Sequence, residues 1–140
     1  MKKSIILLIA LLQLLYCSAQ QPDKLEPNDK PDQAVAIDPF TTYLVSIFPN
    51  GDNDYFSFSL ANPMIVQPVV MGTTHALNWD LYDEKGKWIT NKFPYAAPAG
   101  NYLLRLTGYS SPDQFMIMLK CTSQTNGMQQ GKGAAIIDSN

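Results

Sequence analysis

The sequence predicts an all-β domain, a single β-sandwich or jelly roll of about eight short, mostly antiparallel strands. Short runs rich in β-branched and aromatic residues alternate apolar with polar positions, the period of a half-buried strand. Gly, Pro, Asn or Asp closes each run, at intervals of roughly eight to twelve residues. Past the N-terminal segment, no stretch repeats apolar residues at helical spacing over three turns.

Ahead of the domain, Lys2 and Lys3 precede an apolar run from Ile5 to Leu15 and the small pair Ser18 and Ala19, which predicts a signal peptide over residues 1–19. The run is shorter than the about 20 apolar residues needed to cross a hydrocarbon core of ~30 Å, so it is an export signal. A secreted location, extracellular or periplasmic, follows, with no transmembrane span in the mature chain. A rival reading puts a lipid on Cys17, since Leu14 stands three residues before it, and makes the chain a structural cell-envelope protein. Tyr16, directly before that cysteine, is bulkier than a lipoprotein site tolerates.

Removing the signal takes two of the ten basic residues and none of the twelve acidic ones, so the formal charge moves from −2 to −4. A mildly acidic chain offers no basic stripe for a phosphate backbone, which excludes nucleic acid as a partner class. The 121 remaining residues suffice for one domain with one core. Cys121 is then the one cysteine left, so no internal disulfide holds the fold; it reads as a small apolar residue ending a strand.

Residues 20–32 are polar and contain Pro22, Pro27 and Pro31, a composition expected of an extended lead-in. The sandwich is expected over 33–121, with strands near 33–37, 42–48, 54–60, 64–71, 77–82, 87–90, 101–108 and 114–121. In 54–60, Phe56, Phe58 and Leu60 share the core face and Tyr55, Ser57 and Ser59 the wet one. Pro68 cannot donate to a ladder, which puts 64–71 at an edge or at a bulge. Asp83 to Gly86 forms a turn in which glycine supplies a positive φ. Tyr102, Leu104 and Leu106 face inward in the next-to-last strand and Phe115, Ile117 and Leu119 in the last. These two strands are expected to be neighbours joined by the loop from Gly108 to Asp113. Residues 122–140, rich in Gly, Gln, Ser and Asn, predict a flexible tail whose one apolar stretch is Ala134 to Ile137.

Glu26, Asn28 and Asp29 in the lead-in, with Asp52 and Asp54 at the opening of a strand, are candidate calcium ligands. Ca²⁺ takes six to eight oxygens at ~2.3–2.6 Å from carboxylates, amides and carbonyls. The competing explanation is turn chemistry: Asn28 and Asp29 forming Asx turns around Pro27 and Pro31, and Asp52 and Asn53 turning the chain. The spacing does not continue into an EF-hand loop. His75, the one histidine, lies in a Gly72-Thr73-Thr74 loop with no Gly-x-Ser-x-Gly elbow and no His-Glu-x-x-His helix anywhere in the chain, so no constellation of acid, base and nucleophile emerges. Among the many aromatics, Tyr55, opposite the core face of its strand, and Tyr109, in a loop after Gly108, are the candidates for a binding surface.

Four pieces in order, Glu26-Pro27-Asn28-Asp29, Gly51-Asp52-Asn53-Asp54-Tyr55-Phe56-Ser57-Phe58, Asp80-Leu81-Tyr82-Asp83 with Gly86, and Ala97-Pro98-Ala99-Gly100-Asn101-Tyr102 running on to Arg105 and Gly108-Tyr109, resemble the bacterial pre-peptidase C-terminal domain family. Together they cover about residues 23 to 121. The resemblance implies a β-sandwich accessory module of the kind appended to exported peptidases and other hydrolases, here standing alone, and similar in fold to the collagen-binding modules of clostridial collagenases. In those modules calcium joins an acidic lead-in to the loop before an Asp-Tyr-Phe strand, which places ligands in the two segments already singled out. They carry a further acidic residue two places before the Glu-Pro-Asn-Asp run; here that place is Lys24, which removes a ligand and adds a positive charge. The expected function is an exported, non-catalytic binding or accessory module, attaching to extracellular protein, polysaccharide or an exported peptidase, with Ca²⁺ as the one cofactor expected.

Overall fold

The computed structural model describes residues 23–124; the signal segment, Cys17 and the chain from residue 125 on, including Ala134 to Ile137, lie outside the described residues. A single 3₁₀ turn, Pro31–Gln33, precedes nine strands: β1 Val35–Ala36, β2 Thr42–Ile47, β3 Asp54–Leu60, β4 Met64–Met71, β5 Leu77–Asp83, β6 Trp88–Thr90, β7 Tyr95–Ala97, β8 Gly100–Gly108 and β9 Ser111–Ser123. They form two sheets, ordered β1-β3-β8-β5-β6 and β2-β9-β4-β7. Among the described residues no helix is long and apolar enough to cross a membrane.

The order of β2 to β9 across the two sheets, 3-8-5-6 facing 2-9-4-7, is that of a jelly roll. One connection, β5 to β6, is a hairpin within a sheet; every other connection between consecutive strands carries the chain from one sheet to the other. This corrects the expected pairing of β8 with β9. β8 already has β3 and β5 on its two sides, and β9 has β2 and β4, so neither offers a free ladder to the other. Their inward faces are instead packed across the sandwich. The three-residue strand β7 is not among the expected strands. β9 begins three residues earlier than expected and runs two residues into the segment expected to be tail, and the Gln124 amide donates to the Met64 and Ala97 carbonyls.

Alternation sets the core. Phe56, Phe58 and Leu60 of β3, Leu81 of β5 and Tyr102, Leu104 and Leu106 of β8 face Val45 and Ile47 of β2, Val66 of β4 and Phe115, Ile117, Leu119 and Cys121 of β9, all buried. The Phe58 and Tyr102 rings stack at 5.4 Å, and the Tyr102 hydroxyl donates to the Pro98 carbonyl at 2.8 Å, so the ring enters the core with its polar atom satisfied. Pro68 lies beyond the end of β7, which pairs with Met64–Val66 alone, so the missing N–H falls where β4 has become an edge. The turn after β5 is built on Asp83, whose Oδ1 accepts from the Lys85 and Lys87 N–H groups at 2.9 and 2.8 Å, while Gly86 sits at φ 77°.

Phe56 is fully buried in the middle of β3, and a Phe→Ala change at such a site removes the transferred surface and leaves a cavity. Phe56→Ala should cost about 3–5 kcal/mol in urea unfolding, whereas Thr122→Ala on the exposed side of β9 should stay within about 0.5 kcal/mol of the parent. A loss at Phe56 as small as that at Thr122 would mean the sandwich is packed on its other face.

Candidate metal centre

β3 enters the core with an acid. Asp54 is the first residue of the strand and shares its inward face with Phe56 and Phe58, so the alternation that buries two phenylalanines also buries a carboxyl group completely. Just before it, the turn over Pro49–Asp52 closes with the Asp52 N–H donating to the Pro49 carbonyl at 3.1 Å. Asp52 Oδ2 accepts from the Phe48 N–H at 2.7 Å, which folds that carboxyl back toward the sandwich, 7% exposed.

The lead-in lies against the same end of β3. The Tyr55 N–H donates to the Asn28 carbonyl at 2.9 Å, adding a rung to the strand, and the Asn28 N–H donates to Glu26 Oε2 at 3.1 Å. Asp23 fixes the start of this segment: its two oxygens accept from the Leu25 N–H at 2.9 Å and from the Ser46 N–H of β2 at 2.7 Å. The lead-in is thus tied to both sheets.

These contacts place one carboxylate oxygen each from Glu26, Asp52 and Asp54 within 4.8 Å of one another. Asn28 is wholly buried between two of them. With its amide oxygen turned inward, Asn28 faces Glu26 Oε2 and Asp54 Oδ1, an all-acceptor arrangement that only a cation or added protons stabilise. With the amide reversed, its nitrogen donates to both oxygens at 3.2 Å. Asp52 Oδ1 and Asp54 Oδ2 are buried with no hydrogen-bond partner in either case. No described Lys or Arg forms an ion pair with any of these carboxylates.

The electrostatics follow from that crowding. Burial first, then the charges of Asp52, Asp23, Glu26 and Asp29, push the Asp54 carboxyl up from 3.8 to about 9. Asp52 rises to about 7, through burial and the Asp29 carboxyl within hydrogen-bonding reach, against the lowering effect of the Phe48 N–H. Glu26 is raised as well, chiefly by burial, with the Asn28 N–H opposing.

Of the five candidate ligands, the structure brings Glu26, Asn28, Asp52 and Asp54 together; Asp29 is exposed and reaches the cluster through Asp52. Lys24 is exposed. Asp23 is a residue that the sequence reading missed, and its one signal was a position two residues before an apolar Leu25, the spacing of an Asx turn. Elsewhere, Tyr109 is 67% exposed and stacks on His75 at 4.9 Å, while Tyr55 is half-buried with its ring 6.5 Å from that of Tyr82.

The donor set fits a hard divalent cation. Oxygens sharing one Ca²⁺ at ~2.3–2.6 Å lie at most about 4.6–5.2 Å apart, which the 4.8 Å cluster satisfies, and the orphaned oxygens of Asp52 and Asp54 carry lone pairs that no donor claims. With neither nitrogen nor sulfur among the candidate donors, zinc is disfavoured.

No family model matches the chain, and no curated protein matches it. Among solved structures, the chain is similar to the pre-peptidase C-terminal domain of a collagenase from Bacillus anthracis, at 19% identity and a TM-score of 0.47, over 68% of this chain and 100% of that one.

The raised values have a consequence for the metal-free protein. Between the ordinary carboxylate value of 3.8 and the folded values of about 7 and about 9, the native state holds protons that the unfolded state has released. The contribution of these two groups to stability is therefore greatest at low pH and is lost as pH rises through the folded values, by up to about 1.4 kcal/mol per pH unit for each proton so held. In chelator, the urea midpoint should fall from pH 5 to pH 9, and Asp54→Asn should flatten the slope. A wild-type midpoint that climbs over that range would contradict the crowded-carboxylate account.

Proposed function

We propose that this chain is an exported, non-catalytic binding or accessory module whose N-terminal lead-in is locked to the sandwich by calcium, and that it attaches to an extracellular protein, a polysaccharide or an exported peptidase. The observation that carries the metal part is the pair of buried, partnerless oxygens on Asp52 and Asp54, two residues that with Glu26 each bring a carboxylate oxygen within 4.8 Å of the others. A carboxylate removed from water without a partner costs several kcal/mol, and a divalent cation offsets that cost for several carboxylates at once. Glu26, Asp52 and Asp54 would supply carboxylate oxygens and Asn28 its amide oxygen. The bound ion would supply charge neutralisation alone.

Placement at the join favours a structural ion over a catalytic one. The ligands come from the lead-in, the loop before β3 and β3 itself, so the ion would add to the hydrogen bonds that tie the lead-in to the core strand. His75 supports no alternative as a reaction centre, because it stacks on Tyr109 in an exposed loop.

Binding to the native state alone raises stability by RT ln(1 + [Ca]/Kd), about 2.7 kcal/mol at a hundredfold excess over Kd. A thermal melt of the mature protein in millimolar calcium should have a higher midpoint than one in chelator, with the difference growing from pH 6 to pH 8 as protons leave the site. In Asp54→Ala the difference should vanish. Coincident wild-type midpoints in the two buffers would leave the cluster as protonated turn chemistry.

A further inference from the structure

The outer face of the larger sheet carries a cluster of aromatic and polar side chains that the metal centre does not use. Register aligns Tyr55 of β3, Arg105 of β8 and Asp80 of β5 in one row, and Ser57, Leu103, Tyr82 and Trp88 in the next. Arg105 Nη2 pairs with Asp80 Oδ2 at 2.6 Å, and Asp80 Oδ1 accepts from the Trp88 indole N–H at 3.2 Å. The Arg105 guanidinium lies over the Tyr82 ring at 5.8 Å. Tyr82 is in turn 6.5 Å from Tyr55. Trp88 remains 53% exposed although its polar atom is already engaged. The Arg105 Nε is buried with no partner. Toward the end of β8 at Asn101, Ser59 donates to Asn101 at 2.7 Å and Asn101 donates to Glu84 at 3.2 Å, on the wall of a hollow of about 400 Å³ that also includes Ser57.

We infer that this face is a docking platform for a neutral polysaccharide, an inference that rests on the binding-module reading and names its ligand class. Pyranose rings present flat C–H faces and hydroxyl rims. The former suit an exposed indole and phenol rings, and the latter suit amides, carboxylates and a guanidinium already held in place by one another, so little ordering remains for the ligand to impose. Across both rows β8 has β3 on one side and β5 on the other, so a ligand lying over it on this face meets side chains alone. A peptide recognised by strand addition needs an open edge, which this face does not provide. The charge of Arg105 is neutralised by Asp80, and the neighbouring hollow contains Glu84 and Asp38, so anionic chains are disfavoured and uncharged ones are not.

The test uses the calcium-loaded mature chain in titration calorimetry against cellohexaose, laminarihexaose, xylohexaose and mannohexaose, with heparin as the anionic arm and gelatin as the peptide arm. At least one neutral hexaose should bind. Trp88→Ala and Tyr82→Ala should each weaken it at least tenfold without moving the thermal midpoint by more than a few degrees, and Leu44→Ala on the outer face of the other sheet should leave it unchanged. In the wild type, the indole N–H resonance of Trp88 should shift on titration while that of Trp79 stays in place, a readout independent of any variant's folding. No binding to any neutral hexaose, or affinity that survives loss of Trp88 with no shift of its resonance, overturns the platform. Binding to gelatin or heparin in place of the hexaoses overturns the ligand class and leaves the binding-module reading standing.

Discussion

The fold turns on a like-charge constraint at the head of one strand. Asp54 begins β3 on the same face as Phe56 and Phe58, so the register that places two aromatic rings in the core also draws a carboxyl group out of water. Everything nearby is arranged around that group. Asp52 is folded back beside it, Glu26 and Asn28 are brought in from the lead-in, and Asp23 anchors that lead-in to β2. Shifting β3 by one residue would release Asp54 to solvent, but it would turn Phe56 and Phe58 outward as well, so the hydrophobic core holds the acid in place. The cluster and the core are two outcomes of one register.

Side-chain alternation made the faces legible, because a strand buried on one side shows a period of two in its own residues. Phe56, Phe58 and Leu60, and likewise Phe115, Ile117 and Leu119, are inside as that period requires. Connectivity is not written in any single strand. The expectation that β8 and β9 pair came from their adjacency in sequence, yet in a jelly roll adjacent strands mostly fall in different sheets, and the choice is made by which ladders are already taken. β7 escaped notice for a different reason: Tyr95-Ala96-Ala97 is three residues long between Pro94 and Pro98, and alanine has little intrinsic preference for a strand. Its pairing with β4 is imposed from outside.

The candidate site was legible where side-chain chemistry alone decides and hidden where backbone contacts do. Glu26, Asn28, Asp52 and Asp54 stand out as oxygen-bearing residues in two short clusters, and the structure joins them. Asp29 belongs to the same sequence cluster but is exposed at its rim, with its carboxyl in reach of Asp52, since the turn that buries Asn28 leaves its neighbour outside. Asp23 could not be placed from sequence because its role is to receive two main-chain N–H groups, one of them 23 residues away in β2. Of the surface aromatics, Tyr55 is one corner of a larger group with Tyr82 and Arg105, a juxtaposition that requires knowing that β3, β8 and β5 are consecutive in the sheet.

Cys121 ends the inward row of β9, where burial raises its thiol above the ordinary value and leaves it without a cysteine partner among the described residues. A thiol that is neither ionised nor accessible exchanges slowly with small thiols and reacts slowly with oxidants. The described sandwich is therefore held without a disulfide, and its integrity does not depend on the redox poise of its surroundings. Reducing and oxidising surroundings should yield the same native state, a property that suits production of the domain in a reducing host.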